Sequence, residues 1–357
     1  MAEHFHSLRV AEIVPETYDA MSVRFDIPNG LAEAFAFKAG QHLTLRADIN
    51  GEDVRRNYSL CVAPAEGLLK VTVKQIAGGV FSNWVGAVLK VGDTIDVMAP
   101  HGSFTIPFDA ASAKRYVGIA GGSGITPIMS LIRTALGEEP ASRFTLFYGN
   151  RDSRSVIFLE ALAELKDRYM GRLELFHFLA EEAGDVDLFN GMLDAVRCGE
   201  AVDRLVVDPA SVDAWFICGP GPMMDAAEAV LIERGTGRER IHIERFTAGR
   251  PTEAMAERHA VLQDEAAGQQ VAVTLDGRTR TIAFVGESIL DSALKAGMSA
   301  PFSCKAGVCA TCRAKCTAGT VEMTVQYGLT DDEIADGYVL TCQAVPVGDG
   351  VAVDYDA

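Results

Sequence analysis

The sequence predicts a multidomain chain: an antiparallel β-barrel, then an α/β domain around a parallel sheet, then a small α+β module. Three observations carry this. Residues 8–107 break into short apolar runs parted by turn residues. From Arg115 apolar strands alternate with helical periodicity. Beyond a polar stretch near residue 250 come a tight-turn hairpin, a helix and a cysteine-rich loop. At 357 residues the chain suits two or three domains. The divisions expected are 1–110, 111–247, a linker at 248–267, and 268–357.

In the first domain the runs 8–14, 22–27, 42–46, 68–73 and 94–98 are strands spaced as in a small barrel. Segment 83–89 is helix-like. In the second, strands at 116–120, 144–148, 173–179 and 214–218 alternate with helices at 127–136, 158–168 and 222–234, which places helices on both faces of the sheet. Residues 247–269 are polar and weakly patterned and read as a linker. The third domain opens with strands 271–275 and 280–284 flanking Asp276-Gly277, a hairpin signal. A helix at 288–296 and a closing strand at 351–354 complete it.

The formal net charge is −17, which excludes a basic nucleic-acid footprint. It suits a protein that meets a positively charged protein surface. No apolar run reaches the ~18 residues of a bilayer span, and residues 1–11 lack a secretory pattern, so a cytoplasmic protein is expected. Of eight cysteines, five crowd the last sixth of the chain, pointing to a metal site rather than a disulfide framework.

Cys304-x4-Cys309-x2-Cys312, with Cys342 far downstream, has the spacing of a plant-type 2Fe–2S cluster. Each iron needs two thiolates, and the small residues Ala306, Gly307, Ala310 and Thr311 let the backbone curl around the sulfurs. A structural zinc site is the alternative, but it ordinarily uses two Cys-x2-Cys pairs. Cys316 falls on the strand leaving the loop, and Cys61 and Cys198 read as structural.

Arg56-Asn57-Tyr58-Ser59 follows a polar turn and is read as beginning a strand. Tyr58 offers a ring face to a flavin, Ser59 a hydroxyl near its reactive nitrogen, and Arg56 a charge for the pyrophosphate. Gly78-Gly79-Val80-Phe81-Ser82 precedes a helix, so Gly79 and Ser82 suit a phosphate cradle. Gly121, Gly122 and Gly124 with Thr126 and Pro127 join a strand to a helix and suit a second pyrophosphate. Cys218-Gly219-Pro220-Gly221 is a matching turn that would set Cys218 beside a nicotinamide ring. Tyr148-Gly149-Asn150-Arg151 ends the second strand, where Arg151 in place of a carboxylate favours NADPH over NADH.

Arg56-Asn57-Tyr58-Ser59, the Gly121–Pro127 turn, the Cys218-Gly219-Pro220 turn and the cysteine loop follow one another along the chain and together resemble the ferredoxin–NADP reductase superfamily with a fused plant-type ferredoxin, over essentially the whole chain. A narrower resemblance is to the reductase subunits of the ring-1,2-epoxidising phenylacetyl-CoA epoxidases. It rests on Phe5-His6-Ser7-Leu8, Ala39-Gly40-Gln41-His42-Leu43-Thr44-Leu45, Arg55-Arg56-Asn57-Tyr58-Ser59, Tyr148-Gly149-Asn150-Arg151, Ile241-His242-Ile243-Glu244-Arg245-Phe246 and Gly337-Tyr338-Val339-Leu340-Thr341-Cys342-Gln343-Ala344. Asn57 and Ala306 depart from that pattern.

The resemblance implies a β-grasp ferredoxin domain, FAD, NADPH as electron donor, Phe246 near the flavin, and a separate di-iron oxygenase as acceptor. Ser59 and Cys218 are then the catalytic candidates and Cys304, Cys309, Cys312 and Cys342 the metal ligands. A reductase for another oxygenase or a hybrid-cluster protein stays open. A self-contained oxygenase would need paired Glu-x-x-His motifs, and the chain has one, Glu239 to His242. A non-enzymatic zinc scaffold is the remaining alternative.

Overall fold

A computed structural model describes residues 5–206, 208–248 and 253–357. Its contacts divide the chain into two compact units: residues 6–54 with 58–244, and residues 245–357 with Phe5 and residues 55–57.

In the larger unit, β1 (Phe5–Thr17), β2 (Ala20–Asp26), β3 (His42–Ile49), β4 (Glu52–Ser59), β5 (Leu69–Lys74) and β6 (Thr94–Met98) form one sheet in the order β4-β3-β6-β1-β2-β5. A bridge from Leu60, just past β4, to Val71 of β5 joins the two edges and closes the barrel. Leu8 and Val10, Val23 and Phe25, Leu43 and Leu45, and Val71 and Val73 alternate inward to make its core. Helix α1 (Val80–Ala87) lays Phe81 and Val85 into that core from positions four apart.

The segment containing Arg56 to Ser59 ends a strand and does not begin one. Asn50 and Gly51 both take positive φ, 58° and 85°, which is the turn that folds β4 back along β3. Pairing through this turn, and not apolar patterning of residues 52–59, makes β4 a strand.

The second half of this unit carries β7 (Arg115–Gly121), α2 (Ile125–Glu138), β8 (Arg143–Asn150), α3 (Leu159–Arg168), β9 (Leu173–Leu179), α4 (Ala195–Leu205), β10 (Ala214–Cys218), α5 (Gly221–Glu233) and β11 (Ile241–Glu244). The sheet is parallel throughout, in the order β11-β10-β7-β8-β9. Tyr116, Phe144 and Phe216 meet Ile128, Ile132 and Leu162 on one face. Val117, Phe147 and Trp215 meet Val202, Ala227 and Leu231 on the other. Each buried aromatic ring removes about 150–250 Å² from water, a gross gain of about 4–6 kcal/mol at ~25 cal/mol per Å². The strand order reverses between β7 and β10, and ligands of such sheets bind at that crevice.

In the carboxyl-terminal unit, residues 253–266, read from sequence as part of a linker, form helix α6 (Glu253–Ala266). Good helix formers fill it, but only Ala266 is buried, with Leu262 packed partly against the core, so no apolar stripe marked it. It is followed by β12 (Gln270–Leu275), β13 (Arg278–Ala283), α7 (Ile289–Lys295), β14 (Arg313–Met323), α8 (Asp331–Ala335), β15 (Tyr338–Leu340) and β16 (Ala344–Asp354). The sheet order is β13-β12-β16-β14-β15, with β12 parallel to β16 and the hairpins antiparallel. Helix α7 packs Ile289, Leu290 and Ala293 into its core, giving the β-grasp arrangement.

Candidate functional site

Cys304, Cys309 and Cys312 lie on the loop between α7 and β14, and Cys342 lies between β15 and β16. The thiols form two hydrogen-bonded pairs, Cys304 with Cys309 and Cys312 with Cys342. The Ala306 N–H donates to Cys304 Sγ at 3.3 Å, and the Thr311 hydroxyl to Cys309 Sγ at 3.2 Å. These donors favour anionic sulfur. The Cys304 thiol pushes Cys309 well below its usual range, against the opposing effect of burial.

The loop turns through left-handed conformations at Lys305, Gly307 and Ala310. A Cβ on Gly307 would come within 2.7 Å of the Val325 carbonyl. Two thiolates for each of two irons is the demand of a 2Fe–2S cluster, and the two-and-two grouping fits it. Among the described residues no three His, Cys, Asp or Glu side chains gather around one point. Cys316 lies on β14 with its thiol on the Ala318 carbonyl. Burial raises Cys61 to about 11 and Cys198 to about 12, as suits packing residues.

At the barrel, Ser59 is buried at the end of β4, and its Oγ has no hydrogen-bond partner among the described residues. A buried hydroxyl left so costs about 1–3 kcal/mol unless a ligand satisfies it, which fits a flavin edge. Tyr58 is half-buried, with its ring 5.8 Å from that of Phe81. Arg56 is exposed, its Nη1 donating to the Arg55 carbonyl. Gly79 precedes α1, where a Cβ would lie 2.5 Å from Ser82 Oγ, so only glycine leaves this cradle intact. Ser82 Oγ accepts from the Ile76 N–H. Phe246 belongs to the carboxyl-terminal unit and is 39% exposed.

At the strand-order reversal, the glycine turn after β7 meets the turn after β10. A Cβ on Gly124 would fall 2.0 Å from the Cys218 carbonyl oxygen, and one on Gly121 2.6 Å from Pro220. Gly219 is equally tight against Gly121. These three glycines let the turns touch each other. Gly122, at φ 51°, has open space instead; the Lys74 ammonium is the atom nearest its missing side chain, at 3.8 Å. The Tyr148 phenol donates to the Gly122 carbonyl and fixes the turn. Thr126, expected to bond a pyrophosphate, spends its hydroxyl on the Ser123 carbonyl. Cys218 is fully buried, which keeps its thiol protonated.

Arg151, taken from the sequence as a cation for a 2′-phosphate, is ion-paired with Asp19 and touches the Tyr18 phenol. Sequence reasoning missed Asp19, Lys74, His42 and Glu244. Glu244 ends β11 in register with Cys218, and its Oε1 lies 3.5 Å from His42 Nδ1. Burial raises Glu244 to about 8. The readable signal was a carboxylate closing an apolar strand. His242 stacks on Phe216 at 5.3 Å, so the Glu239-x-x-His242 spacing serves packing.

A barrel with an orphaned hydroxyl, a switch-point crevice for a dinucleotide and a paired-thiol loop define a flavin- and iron–sulfur-dependent reductase. Domain families match in the same order: oxidoreductase FAD-binding domain over residues 7–106, oxidoreductase NAD-binding domain over 119–229, and 2Fe-2S iron-sulfur cluster binding domain over 273–347. The chain is 45% identical over 356 residues to one of the subunits of the 1,2-phenylacetyl-CoA epoxidase of Escherichia coli, covering 99% of this chain and 98% of that one. It is 38% identical to the ferredoxin reductase component of 3-ketosteroid-9-alpha-monooxygenase of Mycobacterium tuberculosis, covering 100% and 97%.

Phthalate dioxygenase reductase has the same fold, with a TM-score of 0.60 at 24% identity over 98% of each chain. The chain therefore belongs to the family of oxygenase-system reductases that join FAD-binding, NAD-binding and 2Fe–2S ferredoxin domains. It is an oxidoreductase that uses a nicotinamide nucleotide, FAD and a 2Fe–2S cluster to carry electrons.

Proposed function

We propose that this chain is the reductase component of a phenylacetyl-CoA epoxidase, delivering electrons to a separate di-iron oxygenase in phenylacetate breakdown. The observation that carries the proposal is its end-to-end 45% identity to a component of such an enzyme. The motifs are collinear from Arg56 to Cys342.

When bound, the flavin links two-electron to one-electron transfer and the cluster passes electrons singly. The chain's residues position these groups. Tyr58 and Ser59 hold the flavin ring, with the Ser59 hydroxyl at its reactive edge. Arg56, Gly79 and Ser82 hold its phosphates, and the resemblance places Phe246 near the flavin. Gly122 gives the nucleotide pyrophosphate room, while Gly121, Gly124, Thr126, Gly219 and Pro220 hold the two turns in shape. Cys218, protonated and dry, helps exclude water from the nicotinamide. Cys304, Cys309, Cys312 and Cys342 hold the irons. Domain limits at 110, 247 and 267 are part of the same reading. So is a cytoplasmic location; among the described residues no helix is long and apolar enough to cross a membrane.

Stopped-flow reduction by a pyridine nucleotide, followed by mixing with candidate oxygenases, tests the assignment. The flavin bands should bleach first, the cluster bands second, and the epoxidase should then turn over phenylacetyl-CoA. If the chain drives a Rieske oxygenase and leaves the epoxidase idle, the assignment is wrong.

A further inference from the structure

We propose that Arg55 and Asn57 serve the iron–sulfur cluster as positioning residues. Arg55 sets a buried positive charge at the start of the cysteine loop and raises the cluster's reduction potential, while Asn57 fixes the residue before Cys304. The inference rests on the reading of Cys304, Cys309, Cys312 and Cys342 as ligands of a 2Fe–2S cluster.

Residues 55–57 belong by their contacts to the carboxyl-terminal unit, and they meet there the two residues ahead of Cys304. Arg55 Nη1 donates to the Phe302 carbonyl at 3.2 Å. The same guanidinium lies 3.7 Å from the Phe302 ring centroid and 5.2 Å from that of Phe5. A planar guanidinium can stack on a ring face while one of its N–H groups reaches a carbonyl. The Ser303 hydroxyl donates to Asn57 Oδ1. Arg55 is 6% exposed and Ser303 4%, so water competes little for either contact. Phe302 and Ser303 are thus each gripped by one side chain from nearly 250 residues upstream. Lys305 then turns the chain through a left-handed conformation, which fixes the backbone on both sides of Cys304.

Two cations share the Phe302 ring, and their surroundings differ. Lys305 Nζ stands 4.9 Å from its centroid, but that side chain is 44% exposed and pairs with Asp291 at 3.0 Å. Water and a carboxylate therefore screen it. Arg55 is the cation set in a low dielectric, where charge acts more strongly, and a guanidinium keeps its proton at any working pH. Reduction adds one negative charge to a group that four thiolates already make anionic. A fixed buried cation beside the loop favours that reduced form, since net charge and hydrogen bonding set the potential of such clusters. Two unit charges about 12 Å apart, at an effective dielectric of about 20, shift a one-electron equilibrium by about tenfold.

The test uses the full-length protein loaded with flavin and cluster. Iron and sulfide are assayed, the cluster's midpoint potential is read by spectroelectrochemistry, and iron loss to a chelator is timed. Arg55→Met keeps an apolar stem against Phe302 and removes the charge. It should lower the cluster potential by about 59 mV, a tenfold change for a one-electron couple. Arg55→Lys, which restores the charge, should recover most of that shift. Lys305→Met should move the potential by less than half as much. Should Arg55→Met fail to retain iron, Arg55→Gln, which can still donate to the Phe302 carbonyl, should show the same lowered potential. Asn57→Ala removes the acceptor for Ser303 and should speed iron loss by about tenfold, whereas Asn57→Asp, which keeps it, should hold the wild-type rate. An unchanged potential in the charge-removing Arg55 variants overturns the inference, as does a shift in Lys305→Met as large as theirs. Zinc in place of iron and sulfide in the wild-type protein would overturn the cluster reading itself, and the inference with it.

Discussion

Glu244 is half-buried at the end of β11, and its Oε2, shielded from solvent, has no hydrogen-bond partner among the described residues. Burial lifts its carboxyl from 4.5 to about 8, so across that interval the folded protein holds a proton that the unfolded chain releases. Stability therefore falls as pH rises through the window and levels off above it. Glu244→Gln removes the titration. Its melting temperature should vary less between about pH 5 and 8 and exceed wild type at about pH 9. Circular dichroism melts at stepped pH check this; a variant as pH-dependent as wild type would mean that the carboxylate is ionised when folded.

The switch-point glycines illustrate what a sequence hides at this scale. The glycine motif was legible, but not which atoms fill the space of each missing side chain. Gly124→Ala would drive a Cβ into the Cys218 carbonyl, rigid backbone, and should cost about 1–3 kcal/mol. That corresponds to about 2–4 °C per kcal/mol in a unit of this size. Gly122→Ala meets no close atom, and its cost is the strain of a left-handed alanine, about 1–2 kcal/mol. Its main effect should be weaker ADP binding by calorimetry, because its methyl enters space left open for ligand.

At the scale of elements, legibility tracked the kind of signal each segment carries. The parallel strands β9 and β10 have the limits that their runs of apolar residues imply, and Asp276-Gly277 makes its turn with φ of 52° and 68°. Strand β4 and helix α6 escaped because neither shows an apolar period. One is made by pairing through a turn and the other by intrinsic helix propensity. Helix α7 is short, and short helices depend on their caps. Its cap, Ser288, accepts from the Asp291 N–H at 3.1 Å and donates to Asp291 Oδ2 at 2.9 Å, while 1% exposed. Ser288→Ala should destabilise the carboxyl-terminal unit by about 1 kcal/mol, read as an earlier loss of the cluster's visible absorption in urea. Ser288→Thr, which keeps both the acceptor and the donor, should recover most of that loss.

Across the whole molecule the consequence of three cofactor domains on one chain is a current that can be cut at a chosen point. The four thiols proposed to hold the cluster could be singled out because metal spacing is local in sequence for three of them. Their grouping into pairs could not, since it depends on Cys342 returning after β15. Cys309 is a buried member of the loop, its Sγ accepting from the Thr311 hydroxyl at 3.2 Å. Cys309→Ser removes that soft ligand and places a hard, weakly acidic hydroxyl there. Iron and sulfide content should fall well below two of each per chain, while nucleotide-dependent bleaching of the flavin keeps its wild-type rate. Transfer onward to an oxygenase should stop. Electron entry and exit then separate in one variant, because the flavin and nucleotide contacts of the larger unit lie outside the cysteine loop. Should Cys309→Ser lose flavin reduction along with its cluster, the thiol loop would also be required for the flavin site, and the division of labour among the domains would have to be redrawn.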